Sequence, residues 1–285
     1  MKGVVLAGGT GSRLYPITKT VNKHLLPVYD KPLIYYPLSN LLLTGCKEIL
    51  IISNPEYLND LESLLGNGDN YGVKLYYQEQ QKPEGIPSAL NLAKEFSDKE
   101  DIWVSLGDNF IFGSRLQEIY DEVNQSNKAT IFIKHVGNIK GFGSAHIKEK
   151  KIVHLEEKPK SSQPGWAVTG LYKFPKSVFD YIPQLNPSKR NETEIIDLLS
   201  IYLKSDNLDY KIFGRGVTWV DCGTVDDLKL ADNYVNNYQK INNTLICSPE
   251  EIALNLKLIS ESEFLKNINN FKNSDYYQNL KNTIE

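Results

Sequence analysis

Short apolar runs alternate with helical stretches through the first 110 residues. Gly3 to Leu6, Glu48 to Ser53, Lys74 to Gln78 and Ile102 to Leu106 read as strands, whereas Pro32 to Thr44, Tyr57 to Leu65 and Pro87 to Phe96 carry the spacing of helices. Strands and helices alternating at these lengths predict βαβ units and a mainly parallel sheet, since parallel neighbours need a crossover between them. The middle of the chain is less regular. Thr130 to His135, Gly143 to Ile147, Lys151 to Glu156 and Gly170 to Phe174 predict further strands, punctuated by Gln163-Pro164-Gly165. Glu192 to Lys204 predicts a helix on the stripe of Ile195, Ile196, Leu198, Leu199 and Leu203, and Val217 to Val220 the last strand. From Val225 onward the pattern is helical, including Glu250 to Leu256 and Ser262 to Ile268, so residues 231–285 read as an ordered helical appendage.

At 285 residues the chain can bury a substantial core, as one large domain or as one domain with an appendage. A net charge of −3 supplies no bulk attraction to nucleic acid or an anionic membrane, so any phosphate chemistry must come from locally placed basic groups. The start, Met1-Lys2-Gly3-Val4-Val5-Leu6, lacks the long apolar stretch of a secretory signal, and a cytoplasmic protein is expected. Cys46, Cys222 and Cys247 are too scattered for a disulfide framework or a metal-ligand set and read as buried or semi-buried thiols.

Leu6-Ala7-Gly8-Gly9-Thr10-Gly11-Ser12-Arg13-Leu14 follows the first strand directly, which places it at the carboxyl edge of a parallel sheet, where ligands bind. Glycines there let backbone N–H groups approach phosphate oxygens, and a helix beginning near Ser12 would add its positive end, with Arg13 at the anion. A tight turn bearing an exposed arginine is the plainer alternative. The spacing matches neither the Walker A loop nor the dinucleotide pattern. Lys23, taken with its own segment alone, reads as an exposed loop lysine before it reads as a second phosphate contact. Asp108 and Asp221 each end an apolar strand, so both can reach one sheet edge, where paired carboxylates suit Mg²⁺ together with substrate phosphates. Capping of loops is the alternative for the pair.

Gly8-Gly9-Thr10-Gly11-Ser12-Arg13-Leu14 followed by Lys23-His24-Leu25-Leu26-Pro27-Val28 resembles the signature of the sugar nucleotidyltransferases. The resemblance runs on through Asp30 to Leu38, Leu106 to Asn109, Leu155 to Pro159, Ala167 to Tyr172, Trp219 to Thr224 and Cys247 to Ala253, and is nearest to the glucose-1-phosphate thymidylyltransferases of the longer form. It implies a Rossmann-like α/β fold with a sugar-binding insertion: a nucleotide-binding half over about residues 1–110, a sugar-binding half over about 111–230, and a helical tail. In the longer members that tail supports a homotetramer, and a regulatory nucleotide site; a homodimer is the other assembly considered. The activity implied is Mg²⁺-dependent attack of glucose 1-phosphate on the α-phosphorus of dTTP.

By the same resemblance Leu6, Gly8, Gly9, Thr10, Gly11, Arg13, Lys23, Gln80, Pro83, Gly85, Ile86 and Asp108 bind the nucleotide. Gln80, five positions before Gly85, meets the pyrimidine edge, with Gln81 as the competing register; a carboxamide offers the donor and the acceptor that an imide needs. Gly143, Glu157, Lys158, Val168, Gly170, Arg190 and Trp219 bind the sugar phosphate, Asp108 and Asp221 the metal, and Arg13, Lys23, Lys158 and Asp108 carry the catalysis. Arg190 rests on a looser local match. The chain departs from the family at Pro87-Ser88 after the base loop, at Ser144, which could reach a polar sugar substituent, and at Cys222, which replaces a small residue with little expected effect. UTP, CTP or a modified sugar 1-phosphate are therefore alternatives within the same chemistry. A non-catalytic nucleotide-sugar binder is the alternative outside it.

Overall fold

The computed structural model describes residues 1–271 and 273–283. The first half runs through β1 (Lys2–Leu6), a small ribbon of β2 (Pro27–Val28) and β3 (Lys31–Pro32), α1 (Tyr35–Leu43), β4 (Glu48–Ser53), α2 (Pro55–Leu65), β5 (Lys74–Glu79), α3 (Ile86–Asn91), α4 (Lys94–Ser97) and β6 (Ile102–Leu106). Next come β7 (Asn109–Gly113), α5 (Leu116–Asn124), β8 (Ala129–Val136), β9 (Ser144–Lys148), β10 (Lys151–Glu156), β11 (Gly165–Phe174), α6 (Val178–Tyr181), α7 (Ile195–Lys204), β12 (Leu208–Ile212) and β13 (Val217–Asp221). Four helices close the chain: α8 (Val225–Asn242), α9 (Pro249–Asn255), α10 (Glu261–Ile268) and α11 (Asp275–Lys281).

The strands β5, β4, β1 and β6 are parallel neighbours, in register from Lys2 opposite Glu48 and Ile102 to Leu6 opposite Ile52 and Leu106. Val4, Val5, Ile49, Ile51, Ile52, Ile102 and Val104 are fully buried, as strands covered by helices on both faces must be. Antiparallel β11 joins this parallel half to the rest, pairing along one edge with β6 and, nearer its start, β9, and along the other edge with β8, beside which β12 extends the sheet. The result is a mixed α/β sheet that is parallel where it holds the nucleotide-type loop.

Two expectations change in the folded chain. The helix foreseen over Pro87 to Phe96 is two short helices, α3 and α4, with Leu92 and Ala93 between them. Pro87 is accommodated in the first turn of α3, where its missing N–H would have had no helical partner. Also, β7 and β13 form a separate antiparallel ribbon that sits off the main sheet.

The tail belongs to the same core as the parallel half. Ala253, Phe264, Ile268, Tyr276 and Leu280 share one apolar cluster with Val5, Tyr35, Leu38, Leu41 and Tyr71. Helix α8 crosses the expected boundary at residue 230 without a break. Cys46, Cys222 and Cys247 are free and buried, as foreseen. Among the described residues no helix is long and apolar enough to cross a membrane.

Candidate active site

The glycine-rich loop leaves β1 at its carboxyl end and is tied down by its neighbours: Gly9 N donates to Asn54 Oδ1 at 3.0 Å and Ala7 N to Ile52 O at 2.7 Å. Gly8 lies so close to Gln80 that a Cβ would stand 2.3 Å from the carboxamide oxygen, so only glycine fits without moving that side chain. The helix expected near Ser12 is a single 3₁₀ turn, Ser12–Leu14. Such a turn is too short to build a macrodipole, so the groups this loop could offer an anion are its backbone N–H groups and Arg13. The Arg13 guanidinium lies over Gly223, where a Cβ would meet Nη2 at 2.7 Å.

Gly107 N donates to Leu6 O at 2.9 Å, which brings Asp108 beside the loop. Lys23 reaches the same point from a short turn capped by Asn22, whose side chain accepts from His24 N at 2.8 Å. Its ammonium donates to Asp108 Oδ2, and Asn109 Nδ2 donates to Oδ1 at 3.1 Å. Burial alone would raise the Asp108 carboxyl, but the adjacent Lys23 charge holds it well below the usual carboxylate range. His24 packs its ring on Gly107 and is kept neutral, its pKa pushed down to about 3 by burial and by Lys23.

Asp221 arrives on the ribbon rather than on the main sheet edge that its sequence position suggested. It pairs across the ladder with Asn109, and Cys222 N donates to Asp108 O at 2.8 Å, so the two carboxylates meet all the same. Burial, and then the charge of Asp108, push the Asp221 carboxyl up to about 7. Two carboxylates under that mutual repulsion suit a small divalent cation. Among the described residues no group of three or more His, Cys, Asp and Glu side chains stands ready for a metal, so the remaining ligands would be substrate phosphate and water, the usual habit of Mg²⁺.

Asn109, which the sequence does not single out as a site residue, organises the middle of the site. Its Oδ1 accepts from Gly170 N at 3.0 Å and Trp219 Nε1 at 2.5 Å, while its amide holds Asp108. Its position next to Asp108, at the start of an apolar strand, was the available signal: a buried amide there must satisfy its hydrogen bonds locally.

A second charged cluster surrounds Glu157. Arg190 Nη2 donates to Glu194 Oε2 at 2.6 Å and to Glu157 Oε1 at 3.2 Å, and Lys158 Nζ lies 3.7 Å from Glu157 Oε1. Burial raises the Glu157 carboxyl, and nearby Glu194 adds to that, against the lowering effect of Lys158 and Arg190. Val168 N donates to Gly143 O at 2.8 Å, and a Cβ on Gly143 would collide with Ile196 at 2.8 Å.

The loop, the paired carboxylates and the Glu157 cluster share one cavity of about 680 Å³. On its wall are Leu6, Gly8, Gly9, Arg13, Lys23 and Asp108; Gln80, Pro83, Gly85 and Ile86; and Gly143, Glu157, Lys158, Val168, Gly170, Arg190, Trp219 and Asp221. Thr10 and Gly11 do not line it. Gly11, at φ +59°, turns the chain, and its carbonyl accepts from Thr18 Oγ1 at 2.7 Å. Gln80 is only 8% exposed, whereas Gln81 is exposed and donates to Glu79 Oε2 at 2.8 Å. Phe142, Tyr172, Thr193 and Glu194 also line the cavity and were not foreseen. Ser144, expected to reach a sugar substituent, lines instead a separate cavity of about 260 Å³ beside His146 and Trp166. Entry into strand β9 directs it away from Gly143 and the larger cavity.

The nucleotidyl transferase family profile matches residues 2–237. The chain belongs to that family. Its relatives include the glucose-1-phosphate thymidylyltransferase of Neisseria meningitidis serogroup A, 43% identical over 255 residues that cover 89% of this chain and 88% of that protein. The Mycobacterium tuberculosis enzyme of the same name is 33% identical over 286 residues, 100% of this chain and 99% of its own. Among solved structures, a Bacillus anthracis protein described as a glucose-1-phosphate thymidylyltransferase, in complex with sucrose, superposes with a TM-score of 0.76 at 41% identity, covering 82% of this chain and 94% of that one. A UDP-glucose pyrophosphorylase complexed with UDP-glucose shares the family fold, with a TM-score of 0.73 at 24% identity over 84% of this chain and 98% of its own.

Proposed function

We propose that this chain transfers the thymidylyl group of dTTP to glucose 1-phosphate, forming dTDP-glucose and releasing pyrophosphate. The observation that carries the reading is the single cavity in which a glycine-rich loop and a buried glutamine share their walls with a second cluster of cations around Glu157. Such a cavity suits two anionic substrates held against each other. In the reaction, loop N–H groups and Arg13 hold the triphosphate, Gln80 reads the pyrimidine imide, and Lys158 and Arg190 hold the sugar phosphate while Glu157 accepts from sugar hydroxyls. Lys23 stands at Asp108 and neutralises charge near the α-phosphate. A sugar phosphate oxygen is already anionic, so the residues need to align it rather than deprotonate it. Asp108 and Asp221 would hold Mg²⁺, which when bound neutralises charge on the phosphates.

Within the proposal, residues up to about 110 form the nucleotide half, 111–230 the sugar half, and the tail after 230 supports assembly as a homotetramer or homodimer with a regulatory nucleotide site. A pyrophosphate-release assay across dTTP, UTP and CTP with glucose 1-phosphate and amino- or deoxysugar 1-phosphates tests the substrate pair. The expected result is fastest release with dTTP and glucose 1-phosphate. Preference for UTP overturns the base assignment, and no release from any pair makes the chain a binding protein.

A further inference from the structure

We infer that Thr193 is a positioning residue that couples the base-side loop of the cavity to Arg190, so that a bound nucleotide sets the sugar-phosphate contact. The inference rests on the function proposed above and adds to it a link between the two half-sites.

Helix α3 begins without a cap of its own. Gly85 at its N-cap has no side chain, and Pro87 in the first turn has no N–H, so Ser88 N is an orphan donor. Thr193 Oγ1, far along the chain, accepts from it at 3.2 Å. The same hydroxyl donates to Glu84 O at 3.1 Å, and Thr193 N donates to that carbonyl at 2.8 Å. The backbones touch as well: a Cβ on Gly85 would stand 2.1 Å from Thr193 O. Thr193 therefore grips both ends of the Glu84 to Ser88 turn.

On its other side Thr193 is part of a self-bonded loop. Ser188 N donates to Glu192 O at 2.8 Å, Asn191 N to Ser188 O at 2.9 Å and Arg190 N to Ser188 Oγ at 3.1 Å, while the Arg190 guanidinium closes on Glu194 at 2.6 Å. A loop bonded in this way shifts as a unit. Lys82 and Pro83, before the gripped turn, are exposed and outside any helix or strand, which leaves that part of the base loop free to settle on a ligand. Movement of Gly85 and Ile86 onto a base would pull Thr193, and with it Arg190, three residues away.

Hydrogen exchange and steady-state kinetics on the full chain and on Thr193→Val and Thr193→Ser test the link. In the natural protein, dTTP with Mg²⁺ should slow exchange in both the glycine-rich loop and residues 188–194. In Thr193→Val the first protection should persist and the second vanish, with the KM for glucose 1-phosphate rising on the order of ten-fold and that for dTTP by less than about three-fold, as expected for two lost neutral hydrogen bonds. Thr193→Ser should restore both. Protection of the glycine-rich loop without any effect at 188–194 in the natural protein overturns the coupling and leaves the function standing. So does a Thr193→Val protein with lower Tm and kcat but intact protection at 188–194, which would mark a structural role. Absence of protection in either segment, together with no pyrophosphate release, overturns the function and the coupling with it.

Discussion

Asp108 and Asp221 look alike in the sequence and differ in the folded chain: the first is ionised against Lys23, the second is pushed up to about 7 by burial beside the first. On the proposed function, in which both would place charge around the phosphates, Asp108→Asn and Asp221→Asn should each lower turnover by on the order of 100-fold or more while circular dichroism stays native. Near-normal turnover at ordinary magnesium in either variant removes that residue from the metal site. Gln80→Ala should weaken nucleotide binding by about 1–3 kcal/mol and blur the choice of base. Gln81→Ala should do neither, because Gln81 is exposed and bonded to Glu79; titration calorimetry with dTTP and UTP separates the two, and equal losses would reverse the register. Lys158→Ala should raise the KM for sugar phosphate far more than for nucleotide, whereas Arg13→Ala should chiefly lower turnover. Bisubstrate kinetics showing impaired nucleotide use in Lys158→Ala would overturn that division. Arg13, Lys23 and Lys158, which line the cavity, were legible as candidates because they stand in short motifs that resemble a known family. Asn109 was not, because its importance lies in three hydrogen bonds to partners up to 110 positions away.

At the scale of elements, apolar strands with continuous runs, such as Ile49 to Ile52, were readable from pattern alone, since both faces are buried. Strand β12 was not, although Leu208-Asp209-Tyr210-Lys211-Ile212 alternates apolar and charged residues: the run is short, only Leu208 is buried, and it is ordered by pairing with β8. Helix α10 carries its own start signal, a capping box in which Ser260 and Glu263 satisfy each other's backbone N–H. Helix α9 buries Glu250, whose Oε2 accepts from Tyr276 O–H at 2.7 Å, and burial raises this carboxyl above the ordinary glutamate range. A carboxyl raised on folding favours the native state while it stays protonated, and that contribution is lost as pH rises through its folded-state pKa. Glu250→Gln should therefore gain in Tm relative to the natural protein as pH rises above the ordinary glutamate range. A Tm difference that does not change over that rise would show that Glu250 does not titrate on folding.

The whole molecule is held by a core that joins the two ends of the chain, since Phe264 and Tyr276 pack in one cluster with Val5, Tyr35 and Leu38. Removing the chain after Thr244 should expose this face and abolish cooperative unfolding, and Phe264→Ala alone should cost about 3–5 kcal/mol in a denaturant titration. A truncated protein that melts cooperatively at the original Tm would make the tail a true appendage. The sequence by itself determined the alternating α/β order, the loop after the first strand, and most of the charged residues on the cavity wall, because these follow from local periodicity and short motifs. Tertiary structure alone decided that Asp221 meets Asp108 from a separate ribbon, that Ser144 turns from the cavity while Gly143 lines it, that α3 is capped by Thr193, and that the tail shares the core of β1 and α1. Those outcomes depend on contacts between segments distant along the chain, where packing and hydrogen-bond satisfaction, rather than local pattern, select the neighbour.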